Sequence, residues 1–357
     1  QMVLRQYKEC RQRMHELYKV VRAVDQKALD QDFRRYRVEF EAAEQRRKDG
    51  DCELNLACRD GVVASLPRLL QDCTAVTAGR ALVIAATYGH VECVLALLSK
   101  APAVGMTIPT HAPEALWAVA KGDGQRIPRA DFNGDELKCS WFEFEEKQRC
   151  GIAQILLDTG ADVEDTSGGP RSALYCASWR GYSELVKLLI SRNANVNFTR
   201  KDNSMTPLHI AADGELVRIL FAAGANLHHV GRLGESPLDK ANSDGRIEPV
   251  QALLGCRANV HQTRPTGMSA LYLAAQYGQA AVVQALLDAK AQVDQRHTSS
   301  TSPLGKACAK GHAEVVGMLI DAKADVNNVR KGQSALEYAK KYGTSAVVEE
   351  IEARTRK

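Results

Sequence analysis

The residues with the most chemical promise lie between Asp131 and Leu137, where Asp131, Asn133 and Asp135 alternate as hard oxygen ligands of the kind a calcium ion takes. The pattern then fails. No turn glycine follows the third ligand, and the twelfth position from Asp131 is Phe142, where a bidentate glutamate is needed. An exposed polar loop that uses Asp and Asn for its turns accounts for the segment without a metal. Nine histidines are scattered, and His228-His229 would need further ligands that the sequence does not place beside them. There is no glycine-rich phosphate loop, no His-Glu-x-x-His and no Gly-x-Ser-x-Gly. The ten cysteines contain no Cys-x-x-Cys; Cys58, Cys93, Cys176 and Cys308 read as buried reduced thiols, which points to an intracellular, cytoplasmic setting. Neither catalysis nor a cofactor or metal is expected from these residues.

Binding remains, and a short phrase repeated along the chain says how it is laid out. Its clearest copy is Thr206-Pro207-Leu208-His209-Ile210-Ala211-Ala212, closed by Gly224-Ala225-Asn226-Leu227. Other copies open at Ser172, Ser236, Ser269, Ser302 and Ser334, so successive openings lie 34, 30, 33, 33 and 32 residues apart. A period of this size marks a stacked helical repeat. Ser or Thr caps the first helix of a unit, and Pro fits its first turn, where a missing N–H costs nothing. Paired alanines let two helices approach closely. Apolar residues at helical spacing in the second helix bury against the next unit. Since one unit cannot bury its own face, stability comes from neighbour contacts.

The phrase resembles the ankyrin repeat, which runs Thr-Pro-Leu-His-x-Ala-Ala-x-x-Gly-His, then an apolar second helix, then Gly-Ala-Asp-Val-Asn. The unit at 302 supplies Ala307-Cys308, Gly311-His312, Val315-Val316, Leu319-Ile320 and Ala324-Asp325-Val326-Asn327. The unit at 269 supplies Ala274-Ala275, Gly278, Val282-Val283 and Leu286-Leu287. Weaker copies open at Arg80, Glu114 and Cys52, which makes nine units over 50–357. The resemblance implies an all-α solenoid of about nine helix pairs with short hairpin fingers, and structural roles for His90, His209 and His312.

Departures from that pattern carry their own expectations. Gly160, Gly224 and the tolerable Asn193 end second helices, but Arg257, Lys290 and Lys323 occupy the same place. A left-handed residue there costs ~1–2 kcal/mol, so those three corners are expected to close differently. The unit at 206 is three residues short between Ala212 and Gly224, and its trimmed helix pair is expected to bend the stack. The unit at 114 is about 25 residues too long, with an irregular insertion at about 123–147. There Trp141, Phe142 and Phe144 either pin the insertion to the stack or form a docking knob.

The first 49 residues differ from the rest. Val3, Tyr7, Cys10, Met14, Leu17, Val21, Val24 and Ala28 form a heptad seam, continued after a shift by Leu29, Phe33, Tyr36 and Phe40. One long amphipathic, coiled-coil-like helix is expected over 1–49. Residues 1–48 hold 13 Lys/Arg and 8 Asp/Glu, against 34 and 35 in the remainder, so the excess of +4 in the whole chain arises here. Such a helix could cap the first unit, or dock on a partner or pair with another helix through 3–40. Interspersed acidic residues argue against a membrane surface or nucleic acid.

No run of 18 uninterrupted apolar residues exists, so no spanning helix is expected. The chain begins at Gln1, which leaves a removed targeting segment open. Partners of ankyrin proteins are usually gripped by the two residues before the glycine that ends the first helix, and by the finger tips. Carried onto this chain, the first set gives Tyr88, Trp179, Arg180, Tyr277, Lys310 and Tyr342; the second gives Leu233 and Lys331. Arg200, Arg232, Arg264, Arg296 and Arg330 recur in five successive fingers, and stacking would line them up as a basic ridge suited to an acidic protein surface. The bland reading is that Arg is a soluble turn residue. The expected function is a non-catalytic scaffold or adaptor subunit. The alternative is a regulatory or targeting region of a larger enzyme or channel.

Overall fold

The computed structural model describes residues 53–71, 73–101, 108–121, 136–166 and 171–355. The helix expected over 1–49, with its seam through 3–40, lies outside these residues, as does Asp131–Asp135 of the acidic loop. The chain divides into two units, Gln1–Leu56 and Ala57–Lys357, and the second holds the α-helices from Leu66 onward.

Eighteen α-helices alternate as nine pairs among the described residues. The first three pairs are α1 (Glu53–Arg59) with α2 (Leu66–Leu69), α3 (Ala75–Tyr88) with α4 (Val91–Lys100), and α5 (Ile108–Lys121) with α6 (Glu136–Asp158). Next come α7 (Ala173–Arg180) with α8 (Ser183–Ser191), α9 (Pro207–Ile210) with α10 (Gly214–Ala222), and α11 (Pro237–Ser243) with α12 (Ile247–Gly255). The last are α13 (Ala270–Tyr277) with α14 (Ala280–Asp288), α15 (Pro303–Lys310) with α16 (Ala313–Asp321), and α17 (Ala335–Tyr342) with α18 (Ser345–Thr355). No strand forms among the described residues; isolated bridges such as Thr263–Ser269 and Thr301–Arg330 mark the fingers.

First helices start where the sequence places a cap. The hydroxyls of Ser172, Ser236, Ser269, Ser302 and Ser334 accept from the N–H three residues on. From α3 to α17 each first helix packs on the next, and from α2 to α18 each second helix does the same. The core between these layers repeats with the period. Val186 and Leu189, Val217 and Leu220, Val250 and Leu253, Val283 and Leu286, and Val316 and Leu319 are each 0% exposed. Full burial of such a side chain stabilises by roughly 1.5–3 kcal/mol.

Five expectations need correction or refinement. The corners at Arg257, Lys290 and Lys323 do not close differently: their φ angles of 66, 61 and 64° match Asn193 at 64°. The following alanine N–H reaches back to Leu253, Leu286 and Leu319 at 2.9 Å each, as it does at Gly224. That bond and the burial of Ala258, Ala291 and Ala324 offset the strain. The helix of the second unit opens at Ala75 rather than Arg80, because Thr74 and Thr77 form a capping box ahead of the repeated phrase. The third unit likewise starts early, at Ile108, with Pro113 inside the helix. Within the insertion, 136–147 is helical and continuous with α6, a stretch without Gly or Pro to stop it. Trp141, Phe142 and Phe144 lie on that helix; their side chains fall outside the described ones. In the short unit α9 keeps a single turn, yet it packs on both α7 and α11.

Candidate partner-binding surface

Four first helices end on a left-handed glycine, at Gly89, Gly181, Gly278 and Gly311. The residue before that glycine is the last of its helix: Tyr88, Arg180, Tyr277 and Lys310. Tyr342 holds the equivalent place in α17. Tyr88, Tyr277 and Tyr342 are 47, 50 and 47% exposed, although a tyrosine ring gains by burial. Trp179 is half-buried between the guanidinium groups of Arg171 and Arg180, 5.7 and 5.6 Å from its ring centre.

Arg180 stands apart from the other residues of this set. It is 7% exposed, and its Nε donates to the Lys121 carbonyl at 2.6 Å. It completes the C-terminus of α5, whose last carbonyls have no partner within the helix. The same device recurs. His90 Nε2 meets the Arg59 carbonyl at 2.9 Å and His312 Nε2 the Gln276 carbonyl at 3.1 Å. Arg149 donates to Thr87 and Val119 carbonyls at 3.2 and 3.1 Å. Arg246 donates to Ala211 and His209 carbonyls at the end of the truncated α9. The histidines match the repeated phrase, and Arg246 holds the same register after Gly245 that His90 and His312 hold after Gly89 and Gly311. Arg180 sits on the phrase just before Gly181, and Arg149, on a second helix, lies off it.

The fingers stack by backbone bonds, from Arg232 N–H to Asn203 carbonyl at 2.8 Å and from Thr298 N–H to Thr266 carbonyl at 3.1 Å. Four of the five finger arginines are half-buried and tied into this framework. Arg200 pairs with Asp202. Arg264 lies 3.9 Å from Asp239 and donates to Ser243 Oγ at 3.2 Å. Arg296 donates to the Ser300 carbonyl at 3.1 Å and to Asn328. Arg330 donates to the Tyr338 hydroxyl at 3.1 Å. Arg232 is exposed beside Leu233 at 76% and donates to the Asp202 carbonyl at 3.4 Å; the exposed Lys331 lies three fingers further on.

Cations and rings also meet along the last three first helices. Tyr272 stacks on His297 at 5.2 Å, and the Lys306 amine lies 5.8 Å over the Tyr272 ring. Tyr338 and Tyr342 are 4.8 Å apart, and the Lys341 amine is 5.1 Å from the Tyr342 ring. Aromatic area and cations are the materials of recognition. Among the described residues no group of three His, Cys, Asp or Glu is placed to hold a metal ion, and no helix is long and apolar enough to cross a membrane. His229 Nε2 meets the Ser204 carbonyl at 2.9 Å.

Comparison with known proteins agrees with this architecture. The ankyrin-repeat family model matches three times, at residues 145–230, 212–297 and 238–330, together just over half of the chain. The Caenorhabditis elegans "Ankyrin repeat and KH domain-containing protein mask-1" is 31% identical over 183 residues, which is 50% of this chain and 6% of that protein. Mouse "Protein phosphatase 1 regulatory subunit 12A" is 34% identical over 114 residues, 30% of this chain and 11% of that protein. This chain thus spans only a small part of the length of such relatives. The crystal structure of the human ASB11 ankyrin repeat domain is similar at a TM-score of 0.52 and 26% identity, covering 58% of this chain and 94% of that one.

Proposed function

The chain belongs to the ankyrin-repeat family, and on that premise we propose that it is a non-catalytic scaffold or adaptor subunit holding a protein partner on its first-helix and finger face. The observation that carries this reading is the row of half-exposed tyrosines, Tyr88, Tyr277 and Tyr342, at one register position in three units, with Leu233 at a finger tip. None of these four exposures serves the fold, and Tyr is enriched in interface hot spots. Segment 1–49 is proposed as a second docking element, and the outward Arg232 as part of a surface for an acidic partner. Buried thiols at Cys58, Cys93, Cys176 and Cys308 support an intracellular, cytoplasmic setting.

The test is site-specific photo-cross-linking in cells. Cross-linkers at Tyr277 and Leu233 are expected to capture the partner, while those at Leu95 and Phe221, exposed on second helices, stay silent. Capture from Leu95 and Phe221 alone overturns the reading. Deletion of 1–48 is expected to abolish partner binding and leave the repeats' unfolding midpoint unchanged; a lowered midpoint assigns that segment as a cap instead. A second reading is favoured by one observation: the phosphatase relative is a regulatory subunit and the match covers 11% of it. In that reading these repeats are the regulatory or targeting part of a larger enzyme or channel.

A further inference from the structure

Three successive first helices, α13, α15 and α17, end at the same register position in Tyr277, Lys310 and Tyr342. Lys310 is exposed and flanked in register by two half-exposed rings. One turn earlier on α15 lies Lys306, and Lys340 and Lys341 add two exposed amines on α17. Among the described residues none of these four lysines is in an ion pair. Some cations elsewhere are matched, Lys187 by Glu184, Lys240 by Asp244, Arg192 by Asp158, and Arg354 by Asp321 and Glu350. Others, such as Lys201 and Lys290, are in no ion pair among the described residues. What sets this strip apart is four lysines on two successive first helices. Burial, and after it the positive charges of Lys310 and Arg330, holds the Lys306 amine below the usual lysine range. This end of the face therefore carries crowded positive charge that the fold leaves uncompensated.

We propose that the strip from Tyr277 to Tyr342 binds a short, extended, Glu/Asp-rich segment of a partner protein. Its carboxylates lie over Lys306, Lys310 and Lys341, and its apolar groups lie against the two exposed rings. The proposal deepens the reading above and rests on it. Neighbouring helices lie about 8–10 Å apart, so three first helices span roughly 16–20 Å, which an extended chain at ~3.3 Å per residue crosses in about five or six residues. The cations chiefly concerned are lysines. Lysine is a mobile point charge suited to scattered carboxylates, whereas phosphate recognition leans on the bidentate fork of arginine. Charge complementarity and length thus favour an acidic peptide over a phosphorylated one.

The test uses the full chain and three fluorescent peptides of equal length: one Glu/Asp-rich with a leucine at each end, its Gln/Asn counterpart, and the counterpart carrying phosphoserines. Anisotropy at low and physiological salt is expected to show binding of the acidic peptide that weakens with salt. The double variant Lys310→Glu/Lys341→Glu is expected to lower its affinity about tenfold or more. Tyr277→Ala/Tyr342→Ala is expected to lower it about threefold or more. Lys187→Glu, on a second helix, leaves it unchanged, and circular dichroism verifies the fold of each variant. Equal binding of the Gln/Asn peptide, preference for the phosphopeptide, or indifference to the lysine reversals overturns the proposal. If the acidic peptide fails while photo-cross-links still form from Tyr277 and Leu233, the reading of the first-helix and finger face survives alone; cross-links confined to Leu95 and Phe221 remove both.

Discussion

Lys290 and Lys323 hold backbone angles that ordinarily belong to glycine. Replacing either by Gly relieves about 1–2 kcal/mol of left-handed strain and adds roughly 0.5–1 kcal/mol of unfolded-state entropy. Each variant is therefore expected to gain about 0.5–1 kcal/mol, read as a higher urea midpoint; a lower midpoint would show that the lysine is unstrained there. His209 offers a pH-dependent case. The Thr206 N–H donates to its Nδ1 at 3.1 Å, so Nε2 carries the hydrogen that the Glu235 carbonyl accepts at 3.1 Å. Burial drives its pKa from 6.5 down to about 4. The unfolded chain takes up a proton below pH 6.5 and the folded chain only near 4. Stability is thus lost as pH falls through that window, by about 3 kcal/mol in total. His209→Gln is expected to flatten the stability–pH curve between 6.5 and 4 in paired urea titrations; identical slopes would acquit His209. Both cases show how far single residues were legible. His209 sits in the repeated phrase and its role could be read, whereas the closure at Lys290 depends on Ala291 reaching back to Leu286, a bond that no residue type announces.

Arg246 carries the argument for elements. Helix α9 lost its second turn, and the carbonyls of His209 and Ala211 that this turn would have bonded receive the Arg246 guanidinium instead. Arg246→Ala is expected to cost about 2 kcal/mol, since a hydrogen bond from a charged donor contributes roughly 1.5–3 kcal/mol. Urea denaturation measures it, and a loss under a few tenths would mean that water serves those carbonyls equally well. Helix existence was readable for six units because Ser or Thr stood where a cap belongs. It was misread at Ala75, where Thr74 and Thr77 form a cap outside the phrase, and within 136–147, where absence of Gly and Pro was the available signal. Arg246 follows Gly245 as His312 follows Gly311, so its place carried a signal although its residue type departs from the phrase. Arg149 was invisible for another reason. A side chain that caps a helix dozens of residues away leaves no local pattern.

The described repeats are held by neighbour contacts, so each second helix depends on the one that covers it. Helix α18 covers α16 with Val347 and Ile351, 0 and 1% exposed, and Arg354 ties it to Asp321. Deleting 344–357 is expected to cost about 4 kcal/mol, from roughly 1.5–3 kcal/mol for each of two buried apolar side chains. Size-exclusion chromatography should show self-association; a monomer of unchanged urea midpoint would show that α16 needs no cover. The side chains that close helix ends have a direction too. His90 serves Arg59, Arg149 serves Thr87, Arg180 serves Lys121, Arg246 serves Ala211 and His312 serves Gln276, each from a later unit to an earlier one. A ribosome making about 5–20 residues per second delivers the next unit roughly two to seven seconds after the last. Through that interval the newest first helix keeps bare carbonyls. The growing chain therefore carries one open edge that travels with synthesis, and a chaperone, or a second stalled chain, would find its hold there.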